Sequence, residues 1–232
     1  MHSGEAIREL MKRIPGRFSL ELGIELEGAK AEEIFKWFLA SLLFGTRIGE
    51  VIATKTYRRF AQARVLTPAA ILAAGWDGLV ELLDEGGYVR YDYKTATKLL
   101  DIASQVEKLY QGNLNNLHDR AKTSEDLENL LQEFKGAGPV TINIFLRELR
   151  GIWKNTDPLP GDLALRAALD LGLISKKEAA DRRVSLSHLQ RSWKQTKIRD
   201  KNFSDFETAL VRLGKNYCRR NKEKCPLREY HV

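Results

Sequence analysis

Residues 130–143 read LLQEFKGAGPVTIN. The apolar spacing predicts a helix that ends at Lys135, the letters GAG at 136–138 predict a turn, and Pro139 is typical of the first position of a new helix. Two glycines permit positive φ and leave backbone N–H groups uncovered. Together with the start of the next helix, these groups form a seat for a phosphate. Because Gly and Pro commonly end and begin helices, the stretch is also typical of a plain connection between two helices.

A second informative stretch follows at 155–166 and reads NTDPLPGDLALR. Asp162 stands where the cap of a helix belongs, and Asp is a favoured capping residue. Capping alone would be enough to explain an Asp at this position. A carboxylate held at a helix start is also suited to stabilise a developing positive charge.

Outside these stretches, nearly every segment after residue 30 has helical periodicity. We expect helices over about 31–44, 49–63, 92–110, 163–172, 176–196 and 205–220, with further starts at Thr67-Pro68, Asp77 and Thr123-Ser124. Ser175 with Glu178, and Ser204 with Glu207, fit the Ser-x-x-Glu capping box. Residues 17–27 alternate apolar and polar positions, but no second strand is evident to pair with them. The sequence therefore predicts an all-α fold with one extended or mixed segment.

The charge balance favours a polyanionic partner. The chain has 38 Lys+Arg against 31 Asp+Glu, a net charge of +7, and a pI near 9.4. No apolar run approaches the roughly 20 residues of a membrane span. The start MHSGE lacks a secretory pattern, and two cysteines are too few for a disulfide scaffold. We expect a protein without membrane association, in the cytoplasm or, in a eukaryote, the nucleus.

In combination, these motifs resemble the endonuclease III-like, helix-hairpin-helix superfamily of DNA glycosylases. The matching elements are Gly136-Ala137-Gly138, Thr141-Ile142-Asn143, and Asp162 with Arg166. Ile142 replaces the family's commoner Ala, and the gap from Val140 to Asp162 is a few residues longer than usual. Asp157 lies closer to the usual spacing, but it lacks the helix start that follows Asp162, so it remains the lesser candidate.

The likeness extends towards the N-terminus. Residues 38–46, FLASLLFGT, and 55–60, KTYRRF, look like the family's early helix pair. Relatives carry there a residue that fills the gap left by an extruded base. Thr46 occupies that position, with Phe44 or Arg47 as alternatives. Gly87-Tyr88 is similar to the family's Gly-Tyr turn before its next helix.

The resemblance implies two helical lobes with a cleft between them. One lobe is a bundle over 32–150 that ends in the helix-hairpin-helix, and the other joins 1–31 to 151–232 and carries Asp162 as the catalytic carboxylate. The residues expected to bind DNA are Lys135, Gly136, Ala137, Gly138, Val140, Thr141, Thr46 and Arg47. The aromatic side chains considered for stacking on a flipped base are Tyr88, Trp37, Trp153 and Tyr91.

Two departures from the family limit the chemistry. Bifunctional members carry a nucleophilic Lys where this chain has Val140, so the resemblance implies a monofunctional, hydrolytic enzyme. Cys218 and Cys225 are spaced as the first two ligands of the family's [4Fe–4S] cluster, but Arg228 stands at the third position and the sequence ends before a fourth. We expect neither the cluster nor another resident metal. Zinc on Cys218, Cys225 and His231 is a minor alternative.

The resemblance further implies a Na⁺ or K⁺ ion held by hairpin carbonyls, and a monomer that acts on double-stranded DNA containing a damaged or mismatched base. Two rival interpretations remain at this point. One is a non-catalytic helix-hairpin-helix DNA-binding protein. The other is an all-α interaction module whose positive charge is incidental.

Overall fold

The computed structural model describes the backbone of residues 2–232 and the side chains from Ser3 onward. About 67% of the chain is helical, and the described residues contain no β-strand. The predicted all-α class is therefore confirmed.

The chain folds into two compact units. The first, called here the aspartate unit, consists of the residues up to Phe18 together with Pro158–Val232. The second, called the hairpin unit, is Ser19–Asp157. The chain crosses between the units within the short helix α2 (Phe18–Glu21) and again after Asp157, whereas the sequence placed these crossings at 31/32 and 150/151.

The hairpin unit is built around a nearly all-apolar helix. Its helices are α3 (Ala31–Phe44), α4 (Glu50–Gln62), α5 (Pro68–Gly86), α6 (Asp92–Tyr110), α7 (Leu114–His118), α8 (Ser124–Gln132) and α9 (Pro139–Glu148). Helix α3 is buried on most of its faces and contacts α4, α7 and α9. This agrees with the sequence, because a helix that is apolar on most of its surface must be central.

Helix α5 contains the break that its sequence predicts. Thr67 caps its start by accepting a hydrogen bond of 3.1 Å from the Ala70 amide, and Pro68 takes the first helical position. Gly75 has φ +65° and ψ −179°, a non-helical conformation that glycine adopts readily, so the helix is kinked there.

The aspartate unit packs helices from both ends of the chain. They are α1 (His2–Arg13), α10 (Asp162–Asp170), α11 (Lys176–Ala179), α12 (Arg182–Thr196) and α13 (Phe203–Leu213), followed by a π-helical turn at Gly214–Cys218 and 3₁₀ turns at Lys222–Lys224 and Arg228–Tyr230. Helix α1 contacts α12 and α13, and α10 contacts α13. A Cβ at Gly214 would collide with the carbonyl oxygen of Leu163, so the π-helical turn lies directly against the backbone of α10.

The segment over 17–27, expected to be extended or mixed, is mixed: the short helix α2 is followed by a turn at Gly23 with φ +71° and by irregular backbone in which Ile24 and Leu26 are buried. The predicted capping box on Ser204 and Glu207 was wrong: the box of α13 uses Asn202 and Asp205, so the helix starts two residues earlier than predicted. The box formed by Ser175 and Glu178 is confirmed.

The longest helices, α5 and α6, have 19 residues each. Both carry several charged side chains along their length, such as Glu81 in α5 and Lys98 in α6. Within residues 2–232, no helix combines the length and the apolar character needed to cross a membrane.

Candidate functional site

The stretch at 130–143 forms two helices joined by a tight turn. Helix α8 ends at Gln132, not at Lys135, because the chain turns at Phe134, which is buried. The amide of buried Ala137 donates to the Phe134 carbonyl over 2.8 Å, and Gly136 has φ +101°. The turn is therefore anchored by two apolar side chains and shaped by a glycine in the left-handed region.

The start of α9 carries backbone amides that the fold does not use. Among the described residues, no hydrogen bond engages the amides of Gly138, Val140 or Thr141, and Pro139 has none to offer. Gly138 and Val140 are exposed, and the first carbonyl used in the helix is that of Gly138. Unpaired amides at a helix start attract anions, because their dipoles add to that of the helix.

The other residues predicted at the hairpin differ in their accessibility. Lys135 and Gly136 lie exposed in the turn. Ala137 is buried with its amide engaged, so it contributes packing instead of a phosphate contact. The side chain of Thr141 is buried against Gly45, where a Cβ would collide with its hydroxyl, so this side chain is not accessible to a ligand.

Lys98 of α6 contacts the hairpin turn, and the sequence did not indicate this contact. Its aliphatic stem lies over Gly136, where a Cβ would collide with Lys98 Cδ and Cγ. Burial, with a smaller contribution from the charge of Lys94, lowers the pKa of Lys98 from 10.5 to about 8. Among the described residues no acidic side chain pairs with it. The contact joins positions far apart in the chain, so no local sequence pattern predicts it.

The three residues considered for the gap-filling position lie at the end of α3 and in the loop after it. The Thr46 and Tyr88 hydroxyls contact each other, and each lies within hydrogen-bonding distance of the Leu43 carbonyl, at 3.1 and 2.9 Å. Thr46 is half-buried, as is Phe44, whereas Arg47 is exposed. Of the three residues considered for the gap-filling position, Arg47 is the most accessible.

The stacking role predicted for three aromatic residues is not met in this structure. Trp37 is fully buried, and its indole N–H donates to the Phe145 carbonyl over 3.0 Å. Trp153 is 4% exposed and donates to Asn115 Oδ1 over 2.8 Å. Tyr88 is fully buried, and burial raises its pKa to about 12. All three are core residues of the hairpin unit, because their apolar rings are enclosed and their polar edges have partners.

A different aromatic pair lies at the surface of the same unit. Trp76 and Tyr93 are 40% and 61% exposed, with ring centroids 5.2 Å apart. The Trp76 indole donates to Thr97 Oγ1 over 3.1 Å, which fixes its orientation. Half-buried Tyr91, the remaining predicted stacking residue, is covered by the Arg90 guanidinium at 5.4 Å. The only sequence signal for the pair is that Trp76 follows the break at Gly75.

In the aspartate unit, Asp162 begins α10 and is held by an arginine. Gly161, not Asp162, is the capping residue, so the helix starts one position earlier than predicted. Arg182 Nη2 lies 2.5 Å from Asp162 Oδ1, and Arg182 Nη1 donates to the Pro160 carbonyl over 2.7 Å. The Asp162 carboxylate is 88% exposed, and no hydrogen bond among the described residues uses its Oδ2. Arg166, one turn later, is exposed.

The lesser candidate, Asp157, is the last residue of the hairpin unit. Its carboxylate pairs with Arg150, whose side chain is largely buried. The partner of Asp157 is thus fixed in the core, whereas that of Asp162 is itself 44% exposed.

The two cysteines do not fit an iron–sulfur cluster. Burial, reinforced by a hydrogen bond to Asp170, raises the pKa of Cys218 to about 12, and burial also raises the pKa of Cys225. Asp170 is itself paired with Lys222 at 2.7 Å. The cluster needs four thiolates, and this chain has two thiols whose surroundings oppose ionisation. Within the described residues, no three His, Cys, Asp or Glu side chains form a metal-binding group.

Comparison with known proteins gave no family: the chain matches no protein-family model and no curated protein. The resemblance to helix-hairpin-helix glycosylases therefore rests on the motifs and their surroundings alone.

Proposed function

We propose that the protein is a monofunctional DNA glycosylase, which hydrolyses the N-glycosidic bond of a damaged or mismatched base in double-stranded DNA. The observation that carries the proposal is the set of unengaged amides at Gly138, Val140 and Thr141, at the start of α9. Asp162, at the start of α10, supplies the carboxylate that the reaction needs.

The hairpin supports binding to a nucleic-acid backbone. Amides at a helix start bind phosphate without reading bases, which suits a protein that must survey DNA of any sequence. Exposed Lys135 and the net charge of +7 add attraction for the polyanion. The energy gained from these contacts offsets the few kcal/mol that flipping a base out of the stack costs.

The chemistry assigned to Asp162 is electrostatic. As the bond from C1′ to the base breaks, its electron pair leaves with the base, and the sugar becomes cationic. The carboxylate stabilises that cation, and water adds to C1′ while its proton passes to Asp162 or to solvent. Arg182 engages Oδ1 only, so Oδ2 stays available to the sugar or the water.

Val140 supports a hydrolytic enzyme without lyase activity. Its side chain is 64% exposed and carries no nucleophile, so it cannot form an imine with C1′. We expect strand breaks only after alkali treatment of the abasic product. Cleavage without alkali, trapped by borohydride, would contradict this part of the proposal.

The test is base release from a panel of duplexes that carry alkylated purines, deaminated bases, mismatches or oxidised guanine. We expect release from at least one of them, and a loss of at least about 100-fold in Asp162→Asn with unchanged DNA affinity. Asp157→Asn is the matched control and should keep its activity. Activity that survives in Asp162→Asn but not in Asp157→Asn would reverse the assignment.

A second candidate function is DNA binding without catalysis. The pairing of Asp162 with Arg182 favours it, because an ion pair at a helix start also serves structure alone. This candidate predicts salt-dependent DNA binding with no base released from any duplex of the panel.

A further inference from the structure

The aspartate unit carries a shallow pocket on α12 whose chemistry the hairpin and Asp162 do not use. Its lining residues are Glu178, Arg183, Val184, Ser187, His188 and Arg191. Arg183, Ser187 and Arg191 follow one another at intervals of four residues, so they share one face of the helix. The pocket therefore combines two guanidinium groups, a hydroxyl and an imidazole with one carboxylate, that of Glu178.

Both arginines of this pocket are without an acidic partner. Arg183 and Arg191 are exposed, and no ion pair or side-chain hydrogen bond among the described residues involves them. Their charges are thus available to an external anion. Arginine is well suited to this, because its planar fork binds phosphate through two parallel hydrogen bonds.

The acidic groups nearby are already satisfied. Glu178 accepts from the Ser175 amide and hydroxyl, at 2.7 and 2.8 Å, and lies 2.6 Å from His188 Nδ1. These contacts, with those to Ser175 the largest, hold the pKa of Glu178 below its usual value. Asp181 caps α12 by accepting from the Arg183 and Val184 amides. The amides of Arg183 and Val184 are therefore occupied, and the anion site argued here depends on side chains.

We propose that the face of α12 bearing Arg183, Ser187, His188 and Arg191 binds backbone phosphates of DNA. The ligand rests on the proposed function, which makes DNA the substrate. Eight residues of helix separate the two arginines, or about 12 Å, which matches the rise of three to four nucleotides of one strand. Arg183 directly follows Arg182, the partner of Asp162, so the bound strand runs past the end of α12 that carries the catalytic carboxylate's partner.

The test compares Arg183→Gln/Arg191→Gln with Arg219→Gln/Arg220→Gln, a control that removes two exposed arginines from the same unit. Binding of a labelled undamaged duplex is measured by fluorescence anisotropy at several salt concentrations. Each lost phosphate contact lowers the slope of log affinity against log salt by about 0.9. We expect the slope to fall by about 2 and the affinity by about tenfold in the first variant, with a far smaller change in the control. Equal changes in both variants would overturn the proposal.

Base release at saturating protein separates this inference from the proposed function. If the wild type releases no base but the slope is still reduced in the first variant, DNA binding by this face of α12 is supported and the proposed glycosylase activity is refuted. If the wild type releases base and the first variant has the same slope as the wild type, the glycosylase activity is supported and DNA binding by this face of α12 is refuted. Thermal stabilisation by inorganic phosphate that disappears in the first variant, beside an unchanged DNA slope, would assign the pocket to a small phosphate and overturn the DNA ligand.

Discussion

Helices α9 and α10 begin in almost the same way and end up with opposite chemistry. Gly138 precedes α9 with φ −75° and ψ 173°, and Gly161 precedes α10 with φ −76° and ψ 165°. Neither start has a side-chain cap. Helix α9 continues with exposed Pro139 and Val140, which leave its amides open, whereas α10 continues with Asp162, which brings its own negative charge.

If the proposed function is correct, the same backbone conformation binds a phosphate at α9 and presents a catalytic carboxylate at α10, depending on the next one or two residues. An apolar start leaves the positive end of the helix free for a phosphate. A carboxylate at the same place repels a phosphate and is suited to meet a cation instead. The predictions below change the residues that make the two starts different.

The largest effect is expected from giving α9 the charge of α10. Val140→Asp places a carboxylate beside the free amides, so we expect DNA affinity to fall by about 100-fold through repulsion of the phosphate. The stability of the fold should be unchanged or higher by about 0.3–1 kcal/mol, because a negative charge favours a helix start. Val140→Asn, which has the same shape without the charge, is the control. Fluorescence anisotropy measures the DNA affinity, and thermal unfolding measures the stability. Equal losses of affinity in both variants would contradict phosphate binding at the start of α9.

An effect of similar size, on stability instead of DNA affinity, is expected from distorting the hairpin turn. Gly136→Ala places a side chain at φ +101° and against Lys98, so we expect a loss of about 2–4 kcal/mol in the free energy of unfolding. Gly138→Ala is the control, since Gly138 has an ordinary φ and open space around it. Denaturant titration decides the matter, and equal stabilities of the two variants would refute the geometry.

The partly buried charge of Lys98 is expected to make stability depend on pH. In the unfolded chain this amine titrates near 10.5, and in the folded chain near 8, so the unfolded state binds more protons between these values. Holding the charge therefore costs folding free energy below about pH 8, and this cost disappears above pH 10.5. Lys98→Met keeps the apolar cover over Gly136, so we expect it to be more stable than wild type by about 1–3 kcal/mol at pH 7. A difference that persists undiminished at pH 10.5 would show that the gain does not come from the charge.

The smallest effect on stability is expected at the start of α10. Arg182→Gln removes an exposed ion pair, which should cost less than about 1 kcal/mol. Base release should fall several-fold, since the carboxylate loses the group that orients it. Arg182→Lys, which retains the charge, should recover part of the activity. A loss of activity explained by unfolding in a melting experiment would remove Arg182 from the site.

The helices could be predicted from the sequence because their periodicity is local, and the predicted bounds of α3 and α6 agree closely with the structure. The exposure of Trp76 could not be predicted: the apolar surface of α3 already indicates that Trp37 is buried, but nothing near Trp76 in the chain indicates that it is exposed. The contact partners of the site residues could not be predicted from the sequence either. Lys98, for example, contacts Gly136 only because of the way α6 packs.

The roles of the hairpin and of Asp162 stay predictions, but their motifs were visible in the sequence. A Gly-x-Gly turn and an Asp after Pro-Gly are local signals. Arg182, twenty residues after Asp162, follows only from the way α12 packs in the aspartate unit.

Gly214 has a bearing on how genetic screens of this protein should be interpreted. Its missing side chain lets the π-helical turn rest against the Leu163 carbonyl, immediately after Asp162. Any larger residue at 214 would push the first turn of α10 and shift the carboxylate with it. If Asp162 acts as proposed, inactive mutants are therefore expected at Gly214 through the displaced carboxylate, and a map of DNA contacts drawn from such mutants would wrongly include this glycine.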